Sequence, residues 1–371
     1  MSNKITNKNK RTRFFHPIIY VMWGILVLSI VVYIISLNNE HFADFYNSYP
    51  GAFVRAVLAH ITNVFPISIT ELFIILLPSI LAVSIIFIIR RCHPTKTSVI
   101  KFTVSTLTAA SMFFSIFVLG FGCGYHGSTL DKKIGLKKKD VAPDELAMTA
   151  KWLANAVAKE SKAIAFEEKS FSNMPYSLSE MNKKLLEAYD KVCDEYDFIQ
   201  RLTSRVKPVM LSEAMSYTHI TGVNTYFSGE ANININFPDY TLPFTAAHEM
   251  AHQRGIARED EANFIAFIVC ISSEDPYIRY SGYLNMFEYV APKLRAQEEE
   301  YRYAYSLLPS EVIYEMNAYY NFFKKYQDST VGEISNTINN GYLQMQGTVG
   351  TKSYGMVVDL TVAYFKAKIS A

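Results

Sequence analysis

The sequence predicts a mainly α chain: three N-terminal transmembrane helices, then an α+β domain with a small β-sheet just ahead of a helix that carries an HExxH motif. Three observations predict it. Only 19% of the 371 residues are charged and 50% are hydrophobic, where soluble domains average about 25% charged. The apolar excess is concentrated in residues 17–37, 72–89 and 102–125, none of which contains a charge. Beyond them the pattern turns to helical periodicity, broken by one stretch of strict alternation at residues 232–236.

A helix rises 1.5 Å per residue, so about twenty apolar residues cross the hydrocarbon layer, and each run fits. The first run is longer than the core of a signal peptide, and Ser36-Leu37-Asn38-Asn39 is a poor cleavage site, so it is read as a retained anchor. Lys4, Lys8, Lys10, Arg11 and Arg13 precede the first run. Arg90, Arg91, Lys96 and Lys101 separate the second from the third, whereas Arg55 is the basic residue between the first and second. The positive-inside rule then places the N-terminus in the cytoplasm and, after three crossings, everything beyond residue 126 outside. Lys132, Lys133, Lys137, Lys138 and Lys139 argue the other way; they are discounted because a long domain is translocated largely regardless of charge. The expected organisation is a membrane domain over residues 1–126, with an amphipathic outer connector at 53–69, and an extracytoplasmic domain over 127–371.

Within the outer domain, residues 144–162 are alanine-rich with helical spacing, and 177–206 read as a long amphipathic helix capped by Ser177 or Ser179. A break follows at Lys207-Pro208. Residues 222–237 read as a strand pair turning near Ser228-Gly229. Helical patterns resume at about Pro243, and the last apolar stretch, 356–365, is interrupted by Asp359 and too short to span.

Several functions are excluded. A net charge of +2 gives no field to recruit nucleic acid. The four cysteines, Cys92, Cys123, Cys193 and Cys270, form no CxxC pair and no disulfide framework; at most one bond forms among the outer three, and Cys270 reads as plain core. Apolar runs without internal charge provide no ion pathway. His16, His41, His60, His93 and His126 fall near the ends of the runs and read as interfacial.

The chemistry-bearing block is His248-Glu249-Met250-Ala251-His252. Residues four apart share a helix face, so both imidazoles can reach one ion, while Glu249 is rotated away from it toward a metal-bound water. Gly255 offers a left-handed helix stop, and residues 258–270 read as the next helix. A catalytic zinc takes three protein ligands and one open position. Glu259 opens that second helix, Ala262 lets the two helices approach, and Asn263 shares the face of Glu259, where it can bond a ligand histidine.

The block HEMAHQRGIAREDEANF resembles the gluzincin class of zinc metallopeptidases, whose third ligand is a glutamate in an ExxA[D/N] motif on a later helix. It also resembles an uncharacterised bacterial membrane family that carries HExxHQxGxxxExEANF after three transmembrane segments, and Phe227-Ser228-Gly229-Glu230-Ala231-Asn232 and Tyr280-Ser281-Gly282-Tyr283 extend that resemblance. It implies one Zn2+ ion, a zincin-like fold and a bacterial cell membrane. Carried over by motif position, the metal ligands are His248, His252 and Glu259, with Glu261 as the alternative third ligand. The implied reaction is attack of a zinc-activated water on a peptide carbonyl of a peptide or protein substrate, with Glu249 as general base. An oxyanion needs a further donor; His219, Tyr226, Tyr280 and Tyr283 are candidates, each with a core-packing role as the plainer reading. The strand bearing Asn232, Asn234 and Asn236 is either the edge that holds an extended substrate or the solvated face of a hairpin. A non-catalytic receptor or scaffold that keeps zinc for structure is the rival reading; an intact Glu249 speaks against it, because a structural site needs no base.

Overall fold

A computed structural model describes residues 14–91, 95–136 and 140–370. Lys4, Lys8, Lys10, Arg11, Arg13, Cys92, His93, Lys137, Lys138 and Lys139 lie outside the described residues.

The chain is mainly helical. Helix α1 (Pro17–Asn38) starts where His16 Nδ1 accepts the Ile18 N–H at 3.4 Å, and Pro17 sits at the first position, where no donor is needed. Two short helices follow, α2 (Glu40–Ser48), capped by Asn39, and α3 (Pro50–Asn63). Next come α4 (Ile69–Arg91) and α5 (Lys96–Gly120). Among the described residues, three stretches are long and apolar enough to cross a membrane: Pro17–Asn38, Ile69–Ile86 and Lys96–Gly120. Val27, Val83 and Leu107 are among many apolar side chains they leave exposed, which suits hydrocarbon rather than water. The third run was expected to stay helical to residue 125. It ends at Gly120 instead, and the glycine-rich segment Gly122–His126 forms a separate tight turn.

Helix α6 (Leu130–Lys133) leads to α7 (Pro143–Glu160) and α8 (Leu178–Glu195). Ser177 caps α8, its Oγ accepting the Glu180 N–H. The amphipathic pattern continues to residue 206, but the helix stops at Glu195 with Tyr196 extended. Asn182 explains the return: its amide donates to the Val206 carbonyl at 3.0 Å and accepts the Val206 N–H at 2.8 Å. The chain is thereby folded back along α8, and Ile199, Leu202 and Val206 are buried without a helix.

The sheet has three strands, β1 (Lys207–Pro208), β2 (Gly222–Thr225) and β3 (Glu230–Ile233), with helix α9 (Ser212–Ser216) between the first two. The order is β1-β3-β2, with β3 parallel to β1 and antiparallel to β2. Gly222 faces Ile233 and Thr225 faces Glu230. The expected hairpin is therefore present, with its turn at residues 226–229; β1 adds a strand where only a break was expected.

Seven α-helices follow among the described residues: α10 (Leu242–Gln253), α11 (Glu259–Ser272), α12 (Pro276–Val290), α13 (Glu298–Ser306), α14 (Ser310–Lys324), α15 (Thr330–Met345) and α16 (Val357–Ser370). The central pair is α10 and α11, where Ala246, Ala247, Ala251, Ala262 and Ala266 are fully buried and keep the axes close. The described cysteines, Cys123, Cys193 and Cys270, are buried free thiols.

A buried ion pair joins the sheet to the start of α4. Lys207 Nζ donates to Glu230 Oε1 at 2.6 Å and to the Thr62 carbonyl at 2.7 Å. The Glu230 carboxylate also accepts the N–H groups of Ile69 and Thr70, at 3.0 and 2.8 Å. It thus satisfies donors at a helix N-terminus, where the dipole favours an anion. Lys207→Met should destabilise the chain by about 3–5 kcal/mol, because it strands a buried carboxylate; thermal unfolding in detergent beside the double substitution Lys207→Met/Glu230→Gln, which should recover part of the loss, checks this.

Candidate metal centre

The HExxH motif lies on α10 and ends at a sharp turn. Gly255 has φ +92°, and a Cβ there would meet Arg55 Nη2 at 2.5 Å. Only glycine combines that backbone with that approach. The turn is tied to the residues around the apolar helices. Asn47 Nδ2 donates to the Gly255 carbonyl at 3.0 Å, and the buried Arg55 donates to Asn47 Oδ1 and to the Gly120 carbonyl, both at 2.8 Å. Arg258, just before α11, donates to the carbonyls of Tyr125 and Gly127.

Across this turn three donor atoms converge. His248 Nε2 and His252 Nε2 are 3.0 Å apart, and Glu259 Oε2 lies 3.2 and 3.3 Å from them. His252 Nδ1 sits 2.7 Å from the Ile256 carbonyl. A carbonyl can only accept, so Nδ1 carries a proton, and in the neutral imidazole that binds a metal Nε2 presents its lone pair to the cluster. Four-coordinate zinc with ligand bonds of about 2.0–2.1 Å sets donor atoms about 3.3 Å apart at the tetrahedral angle. Two nitrogens and one carboxylate oxygen at 3.0–3.3 Å fit that requirement. Glu259 stands at the positive end of α11. Burial would raise its pKa, but the two imidazoles override this and hold it well below the carboxylate range. Burial pulls His252 down, and the Glu259 carboxylate outweighs it, lifting the imidazole to about 9.

Glu249 points elsewhere. Its carboxylate lies against β2, close enough for the Asn224 N–H to favour its charged form, and a Cβ on Gly222 would lie 2.7 Å from it. Burial raises its pKa, against the pull of the two histidines. A cavity of about 1080 Å³ opens over this group, lined by the metal-site residues, by Thr221 to Asn224, and by α12 and α15. β2 is an edge of the sheet. Because Asn224 turns its N–H outward, antiparallel alternation turns the backbone of Gly222 to the same open edge.

Several expected residues stand otherwise. Glu261 does not reach the cluster: its Oε1 accepts from Leu130 N–H at 2.9 Å and from Arg258 at 3.3 Å. Burial, opposed by Arg258, raises its carboxyl to about 7. Asn263 lines the cavity but donates to the Tyr354 carbonyl rather than bonding a ligand histidine; His248 Nδ1 is buried without a partner among the described residues. His219 also lines the cavity, its Nε2 directed to the Tyr326 carbonyl at 2.8 Å. The other oxyanion candidates lie outside it. Tyr226 packs on Phe117, Tyr283 on Trp152 and Phe267, and the Tyr280 hydroxyl donates to Glu315.

The asparagine strand is corrected on both readings. β3 is the central strand, so it has no free edge, and Asn232 and Asn234 are buried rather than solvated. Their amides satisfy the protein's own groups: Asn232 donates to the Val223 carbonyl, and Asn234 and Asn236 both donate to Ser216 Oγ. The strand that meets the cavity is β2.

Four cavity phenols that feel the Glu259 carboxylate were not anticipated. Tyr125, Tyr289, Tyr342 and Tyr354 line the cavity. Burial, reinforced by the Glu259 carboxylate, keeps each above its usual pKa and so protonated as a donor. They come from four separate segments, and no sequence spacing links them.

No curated protein and no solved structure matches the chain. A family model described as a protein of unknown function (DUF3810) matches residues 46–362, a span that takes in the sheet, the His248–His252–Glu259 cluster and the cavity wall. The chain belongs to this DUF3810 family of proteins of unknown function.

Proposed function

We propose that this chain is a membrane-anchored, zinc-dependent peptidase of gluzincin type, with a zincin-like arrangement of β2, α10 and α11. The observation that carries the reading is the convergence of His248 Nε2, His252 Nε2 and Glu259 Oε2, with the Glu249 carboxylate between that cluster and a free strand edge. His248, His252 and Glu259 would hold the ion. When bound, zinc supplies Lewis acidity, bringing water at its open position to a pKa of about 7.

The protein's own residues do the rest. An extended peptide pairs with the outer edge of β2 through backbone bonds, which bind it without demanding a particular sequence. Glu249 receives the attacking water's proton on its carboxylate and delivers it to the leaving amine. Its burial favours the protonated form and so suits the first of these transfers. Tyr125, Tyr342 and Tyr354 are protonated donors on the cavity wall, able to bond a developing oxyanion. The three apolar helices cross the cell membrane with the N-terminus inside, which leaves the metal centre on the outer side.

The test is hydrolysis of a peptide library by the purified full chain in detergent. Cleavage should appear with one equivalent of zinc, vanish with 1,10-phenanthroline and return when zinc is restored. Cleavage unaffected by the chelator would overturn the reading. Tight zinc binding without any cleavage would favour the receptor or scaffold.

A further inference from the structure

Phe113, Phe117 and Phe121 recur every four residues along α5 and just past its end, so they form one stripe on one face. Each meets a successive step of the outer site. The Phe121 ring lies 6.0 Å from that of His252, Phe117 lies 5.2 Å from Tyr226, and Phe113 lies 5.6 Å from Phe227. Phe227 also packs on Phe73 of α4 at 6.0 Å. The polypeptide of β2 therefore begins at the Glu249 carboxylate and descends, through Tyr226 and Phe227, between α4 and α5.

The depth of that descent follows from helix geometry. Phe113 precedes Gly120, the last residue of α5, by seven positions, about 10 Å along the axis. With α4 and α5 as membrane spans, the hairpin tip, held by Ser228 and Glu230 to Thr70 at the start of α4, sits at the outer margin of the apolar layer. The bonds from Asn47 and Arg55 to Gly255 and Gly120 hold the metal turn at a set height above it. The facing wall is α15, which turns the exposed apolar side chains Val331, Ile334 and Ile338 to the cavity. Its far end is tied to α1, where Tyr33 Oη donates to Gln346 Oε1. A soluble peptide can use only the Gly222–Asn224 end of this path. A chain anchored in the same bilayer presents its membrane-proximal stretch at the height of that end, and sharing the bilayer raises its effective concentration.

We propose that the substrate is a polypeptide anchored in the same membrane, received by its membrane-proximal stretch, which pairs with β2 as it leaves the lipid. This rests on the peptidase reading and adds the substrate class.

The experiment uses the full chain in nanodiscs, with Glu249→Gln to prevent turnover and a photocrosslinking benzoylphenylalanine in place of Ile338. Three probe libraries share a randomised twelve-residue segment. In one it is fused directly to a leucine-rich transmembrane helix, in the second a forty-residue Gly/Ser spacer intervenes, and in the third there is no anchor. The directly anchored library should crosslink at least tenfold more than the spacer library, which controls for concentration in the disc. Equal labelling of the three, or labelling of none, overturns the proposal. The same libraries given to the chain with Glu249 intact separate the two ideas. Cleavage of the unanchored and anchored libraries alike keeps the peptidase and removes the membrane-proximal substrate. Selective crosslinking of the directly anchored library with no cleavage keeps the bound segment and removes the peptidase.

Discussion

Glu249→Gln should retain one zinc per chain and lose peptide hydrolysis by at least about a hundredfold, because a positioned general base contributes roughly 10²–10⁴-fold. The prediction separates the two halves of the site. The glutamine keeps an oxygen that can accept the Asn224 N–H, so the contact with β2 survives. It cannot take up a proton, so the transfer from water fails. Metal content by mass spectrometry and turnover on the best library peptide check the two halves together. Activity within a few-fold of the original would place the base elsewhere.

His252→Ala should lose zinc at micromolar free metal, whereas Glu261→Gln should keep it. His252 supplies one of the three converging atoms, and its other nitrogen is fixed by the Ile256 carbonyl. Removing a ligand should cost more than the roughly 10–100-fold in affinity that a merely supporting residue is worth. Glu261, two residues past Glu259, spends its carboxylate on Leu130 and Arg258. Both bonds go to the same oxygen, so an amide can preserve them. Competition titration with a zinc chelator reads both variants, and a weakened Glu261→Gln beside an unchanged Glu259→Gln would exchange the two roles.

How far these features were legible depends on how local their signal is. The apolar helices and the pair His248 and His252 are written in runs and in i, i+4 spacing, and Gly255 marks its own turn. The hairpin of β2 and β3 was readable from alternation, but its partner β1 was not, since two residues carry no period. That same gap misplaced the open edge. Alternation at Asn232 and Asn234 says that side chains point two ways; it cannot say that a third strand lies on the far side, which makes β3 central and buries its asparagines. The end of α8 was invisible for a related reason, because a single side chain, Asn182, turns the chain back across 24 residues. The phenols of the cavity gather only when the Gly122–His126 turn, α12, α15 and the segment carrying Tyr354 are assembled. The choice of Glu259 over Glu261 is likewise tertiary, decided by the claim that Leu130 and Arg258 make on Glu261.

The central claim is that His248, His252 and Glu259 share one divalent cation. X-ray diffraction from the purified full chain, with data on both sides of the zinc absorption edge, addresses it directly. The account predicts a single anomalous peak about 2.0–2.2 Å from His248 Nε2, His252 Nε2 and a Glu259 carboxylate oxygen. A peak bound by Glu261 in place of Glu259, or no peak at this position in zinc-loaded crystals, would contradict it.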